Sequence, residues 1–292
     1  MSEAASGEAH TPAADFSSNG AGADAPEAPM RLGGMALRNG LLVHGPTSWA
    51  AAVRNSTTGS VDVASGPKPD FGGKRVIKVP LLRGPIRMAE AMAVIPIARR
   101  ALPAARLPFE DPRVLAAGAG VTLLNSALLG RGGQKSNAGR EALSATLGVL
   151  PALVALSGTE LAAYHGVEHK AIAAYEQGSR DPSIAPKEHQ RCGSNLIAPM
   201  IIFTVAGQAI LDRLPGGPSR IGQLTASVAS LSLAVEVFTL AERNPESALG
   251  RAVHFSGDSI QRLFATREPN AEQIEVGVAA MDELLAAEDM AS

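Results

Sequence analysis

Four uncharged apolar stretches dominate the middle of the chain: Val114–Gly130, Ala142–Thr159, Cys192–Leu211 and Ile221–Val235. None carries the polar stripe, repeating turn by turn, that a helix at the surface of a soluble bundle shows. A helix needs roughly 20 residues to cross a bilayer; the third stretch has that length and the others are shorter by a few. The pattern predicts a mainly α, polytopic membrane bundle of about four spans, with a compact soluble bundle as the other reading.

Ahead of these stretches the pattern changes. "MALRNGLLVHGPTSWAAAVRN" has short apolar runs broken at Asn39-Gly40 and Gly45-Pro46, and Asn-Gly is a strong hairpin-turn signal. Ser56–Gly73 reads as a loop, "KRVIKVPLL" (Lys74–Leu82) as a further strand, and Ile86–Ala101 as a helix. At the other end, "ATREPNAEQIEVGVAAMDELLAAE" reads as a loop and an amphipathic helix. Asn270 is its expected N-cap, and Ile274, Val278, Met281 and Leu285 its expected apolar face. Arg267-Glu268-Pro269 reads as the turn leading into that helix, with Arg267 and Glu268 as an ion pair. The resulting division is a disordered tail (1–30), a β-rich module ending in a helix (31–101), a membrane helical body (102–264) and a C-terminal helix and tail (265–292).

Composition sharpens this only in places. The tail holds Glu3, Glu8, Asp15, Asp24 and Glu27 and no Lys or Arg, so it lacks the basic start of a signal peptide. The formal net charge of -2 gives no reason to expect nucleic acid as a partner. A single cysteine, Cys192, excludes an intrachain disulfide. Nine Lys and Arg residues between Lys74 and Arg113 place the β module on the cytoplasmic side. With four spans, the segment 164–195 and both termini would share that side of the inner membrane, although Arg131, Lys135 and Arg140 would then lie outside. The lipid bilayer is thus an expected partner; a protein partner or a second copy of the chain stays open.

The chemistry is concentrated in "YHGVEHKAIAAYEQG". His165, Glu168 and His169 stand at i, i+3 and i+4 and share one helical face. Two imidazoles at that spacing can reach one ion at the ~2.0–2.1 Å that zinc requires. The pattern H-x-x-E-H is the inverted zincin signature, with the glutamate as general base. Gln177-Gly178 should end the helix, and "EHQRCGSN" then brings His189 and Cys192. Four good metal ligands therefore fall within 28 residues of a chain whose other histidines are His10, His44 and His254. Three readings remain: a solvated polar face, a closed structural site on His165, His169, His189 and Cys192, or an open site with three protein ligands and water. Zinc leads, because imidazole is mixed with thiolate, with iron and manganese as other ions. Glu176 is too far along the helix to share the ion and reads as a supporting residue or a partner for Arg191.

These blocks, with "GGMALRNGLLVHGPTSWAAAVR", "PLLRG" and "HQRCGSN", resemble the YqhQ-like family of bacterial membrane proteins over about Leu32 to Leu285. The resemblance implies a membrane, a metal-dependent enzyme, and a His, Glu, His, Glu, His, Cys set falling on His165, Glu168, His169, Glu176, His189 and Cys192. It departs at Arg38-Asn39, where the family carries a glutamate.

The expected function is a membrane-bound zinc hydrolase, peptidase-like, with Glu168 as base, Tyr164, Glu176 and Arg191 in support, and Arg191 or Lys170 as oxyanion stabiliser. A non-catalytic scaffold or assembly factor held by a zinc clip is the alternative, with the β module and C-terminal helix as its binding parts. Transport through Glu160 and Glu236, at the edges of apolar stretches, is a third reading.

Overall fold

The computed structural model describes residues 29–73, 79–128, 138–157, 159–215 and 219–291. Most of the expected acidic tail, the basic residues Arg131 and Lys135, and Lys74–Lys78 of the expected strand lie outside these ranges. The chain is mostly helical, with one small antiparallel sheet near its N-terminus: β1 (Gly33–Leu37), β2 (Gly40–His44), β3 (Ser48–Arg54) and β4 (Val61–Pro67), paired in that order.

The two central strands are covered on both faces, which is why "GLLVH" and "SWAAAVR" read as apolar runs instead of alternating. On one face, Leu42, Trp49, Ala51 and Val53 pack against Val94, Ile95 and Ala98 of α1 (Arg83–Ala101). On the other, Leu41, Val43, Ala50 and Ala52 meet two helices, α5 (Thr159–Glu176) and the C-terminal α9 (Ala271–Ala291). Asn270 caps α9 as expected, accepting from Gln273 N at 2.9 Å while Gln273 Oε1 accepts from Asn270 N. The buried stripe of α9 is Val276, Gly277, Ala280, Met281, Leu284, Ala287 and Glu288. Met281 of the expected face lies in it, Ile274, Val278 and Leu285 are half-buried at its margin, and Gly277 meets Val167 of α5 at close range. This apolar face is already occupied inside the fold.

Two strand readings shift. The first turn is Arg38–Asn39, with Gly40 already in β2. Gly40 serves close approach: a Cβ there would come within 2.0 Å of Ala52 O. The fourth strand lies inside the stretch read as a loop, since Val61–Pro67 pairs with β3 as an edge strand, where small and polar residues are tolerated. Of the strand expected at Lys74–Leu82, the described part turns directly into α1.

The apolar stretches resolve unequally. α6 (Ile197–Leu211) with the 3-10 turn Gly193–Leu196 before it, and α7 (Arg220–Arg243), are long and apolar enough to cross a membrane, and only 22% of each is buried. Ile202, Ile210, Ile221 and Leu224 are all exposed. The first stretch becomes α2 (Pro112–Leu128), and the second breaks into α3 (Ala138–Leu147) and α4 (Leu150–Leu156). Ala142–Leu156 and the following helix make a third candidate only as a pair bent by 92°. The latter half of that pair, α5, is buried beneath the sheet, so it has no face for lipid. Two to three candidate spans replace four.

Glu236 of α7 lies against Arg83 at the start of α1 in a two-pronged ion pair, and also accepts from Leu81 N at 2.9 Å. The pairing satisfies the carboxylate within the fold, as a structural role for it would require. Glu160 is exposed in the first turn of α5, where the helix dipole favours a negative charge. After α7 the chain forms α8 (Ala248–Ile260), then a π-helical turn, Gln261–Ala265.

Candidate metal centre

Helix α5 carries His165, Glu168 and His169 on one side, and Gly178 ends it with φ +69° and Ser179 N bonded back to Ala174 O. The chain returns through 179–191 to put Cys192 in front of the first candidate span. There Cys192 caps the 3-10 turn Gly193–Leu196, its Sγ accepting from Ser194 N at 3.5 Å. The ligand atoms of His165, His169 and Cys192 all lie within 4.8 Å of one another.

Each imidazole is held by a carbonyl. His165 Nδ1 lies 2.9 Å from Ala265 O, and His169 Nδ1 lies 2.6 Å from Lys187 O. A carbonyl can only accept, so both Nδ1 atoms carry the proton and both Nε2 atoms are left as lone-pair donors. His165 Nε2 sits 3.5 Å from Cys192 Sγ. Burial, chiefly, holds His169 below the usual imidazole range, which keeps it neutral and able to ligate.

His189 stands beside this trio and outside it. Its ring is 5.8 Å from that of His169, while Nδ1 accepts from Arg191 N and Nε2 lies 3.3 Å from Glu176 Oε2. Glu176 also forms an ion pair with Arg191. The expected pairing of Glu176 with Arg191 is thus present, and it ties His189 away from the three-ligand cluster. Two other readings are corrected. Tyr164 is buried in the core shared by α5, the sheet and α9. Lys170 is buried too, donating to Ser183 O and Ala185 O and pairing with Glu268, so it clamps the 182–185 turn and cannot serve an oxyanion. Glu268 therefore pairs with Lys170 and not with Arg267.

Glu168 is 7% exposed, and burial pushes its carboxyl up to about 7 against the pull of His165. It faces Gly34 of β1, where a Cβ would sit 2.9 Å from Glu168 Oε1. Gly34 thus gives clearance both to the paired strand, where Leu42 O would lie 2.8 Å from a Cβ, and to the carboxylate, and no sequence spacing announces it. Gln261 was equally silent. Fully buried on the π turn, it accepts from His189 N at 2.8 Å and donates to Ser194 Oγ at 3.0 Å, while Ala265 of the same turn holds His165. π turns are frequent at functional sites. Gly166 lets α5 approach this region, since a Cβ there would meet Arg267 O at 2.4 Å.

Because Glu168 is raised in the folded, metal-free protein, the folded state holds a proton that the unfolded chain releases between pH 4.5 and about 7. Its contribution is fully present below 4.5 and is lost as pH rises through about 7. His44, His169 and His189, all lowered by burial, act in the opposite sense at acid pH. With any bound metal removed by chelation, the Glu168→Gln variant should therefore converge on wild type towards pH 4.5 and gain on it in thermal midpoint above pH 7. Parallel midpoint curves for the two proteins from pH 4.5 to 8.5 would contradict the assignment.

The cluster lines a cavity of about 570 Å³ whose other walls include Met92, Ile95, Phe109, Ala155 and Leu161. The donor set fits a divalent ion with affinity for imidazole and thiolate. Residues 159–287, which hold every member of the cluster, match the profile of a family described as a protein of unknown function, DUF1385. The chain is also 30% identical over 130 residues to the uncharacterized protein YqhQ of Bacillus subtilis (strain 168). This chain is therefore similar to both over part of its length. That alignment covers 42% of this chain and 39% of the relative, so the chain spans about two fifths of the curated protein it matches. No solved structure matches the chain. Residues 159–287, matched by the family model, contain α5 to α8 and most of α9, whereas the sheet that supplies Gly34 precedes them.

Proposed function

We propose that the protein is a metal-dependent hydrolase of the bacterial inner membrane, with the ion, zinc by preference, held by His165, His169 and Cys192. The observation that carries this reading is the convergence of three ligand atoms within 4.8 Å beside a buried carboxylate, at the base of a cavity. A bound ion would supply Lewis acidity towards water and a carbonyl. The residues do the rest. Ala265 O and Lys187 O fix the two ring tautomers. Glu168 takes a proton from the attacking water and passes it to the leaving group. Glu176 holds His189 and Arg191 at the cavity wall, where either can meet charge that develops on the substrate.

The engagement of His189 with Glu176 supports an open three-ligand site over the closed four-ligand clip of a scaffold. The membrane reading rests on α6 and α7 as a helical hairpin with mainly exposed apolar surfaces. Such a hairpin returns α8 and α9 to the side that holds the cluster, and the Lys and Arg residues of the N-terminal half make that side cytoplasmic.

Metal content of the purified protein, with X-ray absorption of the bound ion, tests this beside a His165→Ala, His169→Ala double variant. One zinc per chain, lost in the variant, with two imidazoles, one sulfur and an oxygen donor, is the expected result. A shell closed by four protein ligands would turn the reading towards a scaffold, and no metal in either protein would end it.

A further inference from the structure

We infer that the substrate is an extended polypeptide segment that adds as a strand to the open edge of β1, next to Glu168. This rests on the hydrolase reading and names its substrate class. β1 is an edge strand of the sheet. Arg38, just past its end, donates its N–H outwards to Arg106 O at 2.9 Å. Backbone groups along a strand alternate in direction, so Ala36 and Gly34 also point their N–H and C=O away from β2. Among the described residues neither has a backbone partner on that side. Ala36 is nevertheless buried, and buried backbone groups are almost always paired.

The chain begins to cover this edge at Arg106 and then abandons it. Pro108 has no N–H to offer and opens the 3-10 turn Pro108–Glu110, which leaves the edge facing the cavity. The cavity walls include Met92 and Ile95 of α1, from one face of the sheet, and Leu161 and Glu168 of α5, from the other. A space bounded by helices from both faces, and by Gly33–Ala36 themselves, runs along the edge between them. Strand addition would satisfy the backbone of Ala36 and Gly34 and give alternate substrate side chains apolar walls. A single hydrocarbon chain would fill the walls but leave those groups unpaired. Hydrolysis then balances simply: the water oxygen bonds to the scissile carbonyl carbon, the C–N bond breaks, and Glu168 carries a water proton to the amine nitrogen. A carboxylate and an amine result.

The test uses full-length protein in lipid nanodiscs with Co(II) as the metal and the cobalt absorption band as readout. The probes are acetohydroxamate, octanohydroxamate, an N-acylated tetrapeptide hydroxamate, and that peptide N-methylated at each backbone nitrogen in turn. The tetrapeptide should bind at least about tenfold more tightly than acetohydroxamate, and methylation should cost roughly tenfold at alternate nitrogens and under about twofold between them. Equal losses at every nitrogen, or octanohydroxamate binding as tightly as the peptide, would overturn strand addition while leaving the metal site standing. A cobalt band that acetohydroxamate does not perturb would instead overturn the hydrolase reading and this inference with it.

Discussion

On the proposed hydrolase reading, Glu168→Gln should lower hydrolysis by at least ~100-fold, the span general-base catalysis supplies, while leaving the metal bound and the fold intact. Gln preserves the shape that fits against Gly34, and it resembles the protonated acid that burial favours, so packing has little reason to change. What it removes is the capacity to accept a proton. A cation held at the cluster would favour the ionised carboxylate, so the rising limb of kcat/KM should fall at or below the value of about 7 that burial and His165 together give. The measurement is turnover of a fluorogenic peptide library by wild type and variant, each with its zinc content determined. Turnover within a few-fold of wild type, at equal zinc, would remove Glu168 from the chemistry. Loss of zinc in the variant would make the carboxylate a ligand and not a base.

The parts of this site that could be read in advance are those set by local geometry. His165, Glu168 and His169 are one helical turn apart, Gly178 is a helix cap, and Cys192 follows a short return, so their meeting needs only the helix and its ending. The groups that orient them are remote in sequence. Ala265 lies 100 residues from His165, and Gln261 lies 72 from His189. One contributes a backbone carbonyl, which no residue type marks, and the other is an ordinary glutamine until burial makes it a bridge. The sheet shows the same division. β2 and β3 were legible because both faces are covered and the runs are apolar, whereas β4, with Asp62, Ser65, Gly66 and Pro67, looks like a loop and becomes a strand only through pairing with β3. Hydropathy alone overcounted the spans: it marks apolar stretches but not where their helices break, so the second stretch divides into α3 and α4, while α6 and α7 stay long and mostly uncovered.

Glu288→Ala should be the most destabilising single change outside the site, by roughly 3–5 kcal/mol, since three charge-assisted hydrogen bonds are lost together. Glu288 stands in the last turns of α9 and is 4% exposed. Its carboxylate accepts from Thr47 N at 2.9 Å, Ser48 N at 2.7 Å and Thr47 Oγ1 at 2.6 Å, closing the turn between β2 and β3. Gly45 leaves room for it, since a Cβ there would lie 2.3 Å from Glu288 Oε1. Alanine would strand two backbone donors at the end of a sheet whose opposite edge borders the cavity. Glu288→Gln retains one acceptor and should recover about half of the loss. Thermal unfolding followed by circular dichroism reads the order wild type, Gln, Ala. Hydrogen exchange should show the added opening at the end of α9 and at the β2–β3 turn. A midpoint for Glu288→Ala equal to that of wild type would mean that α9 is held by Val276, Ala280 and Leu284 alone, and that the anchor between the two ends of the chain is dispensable.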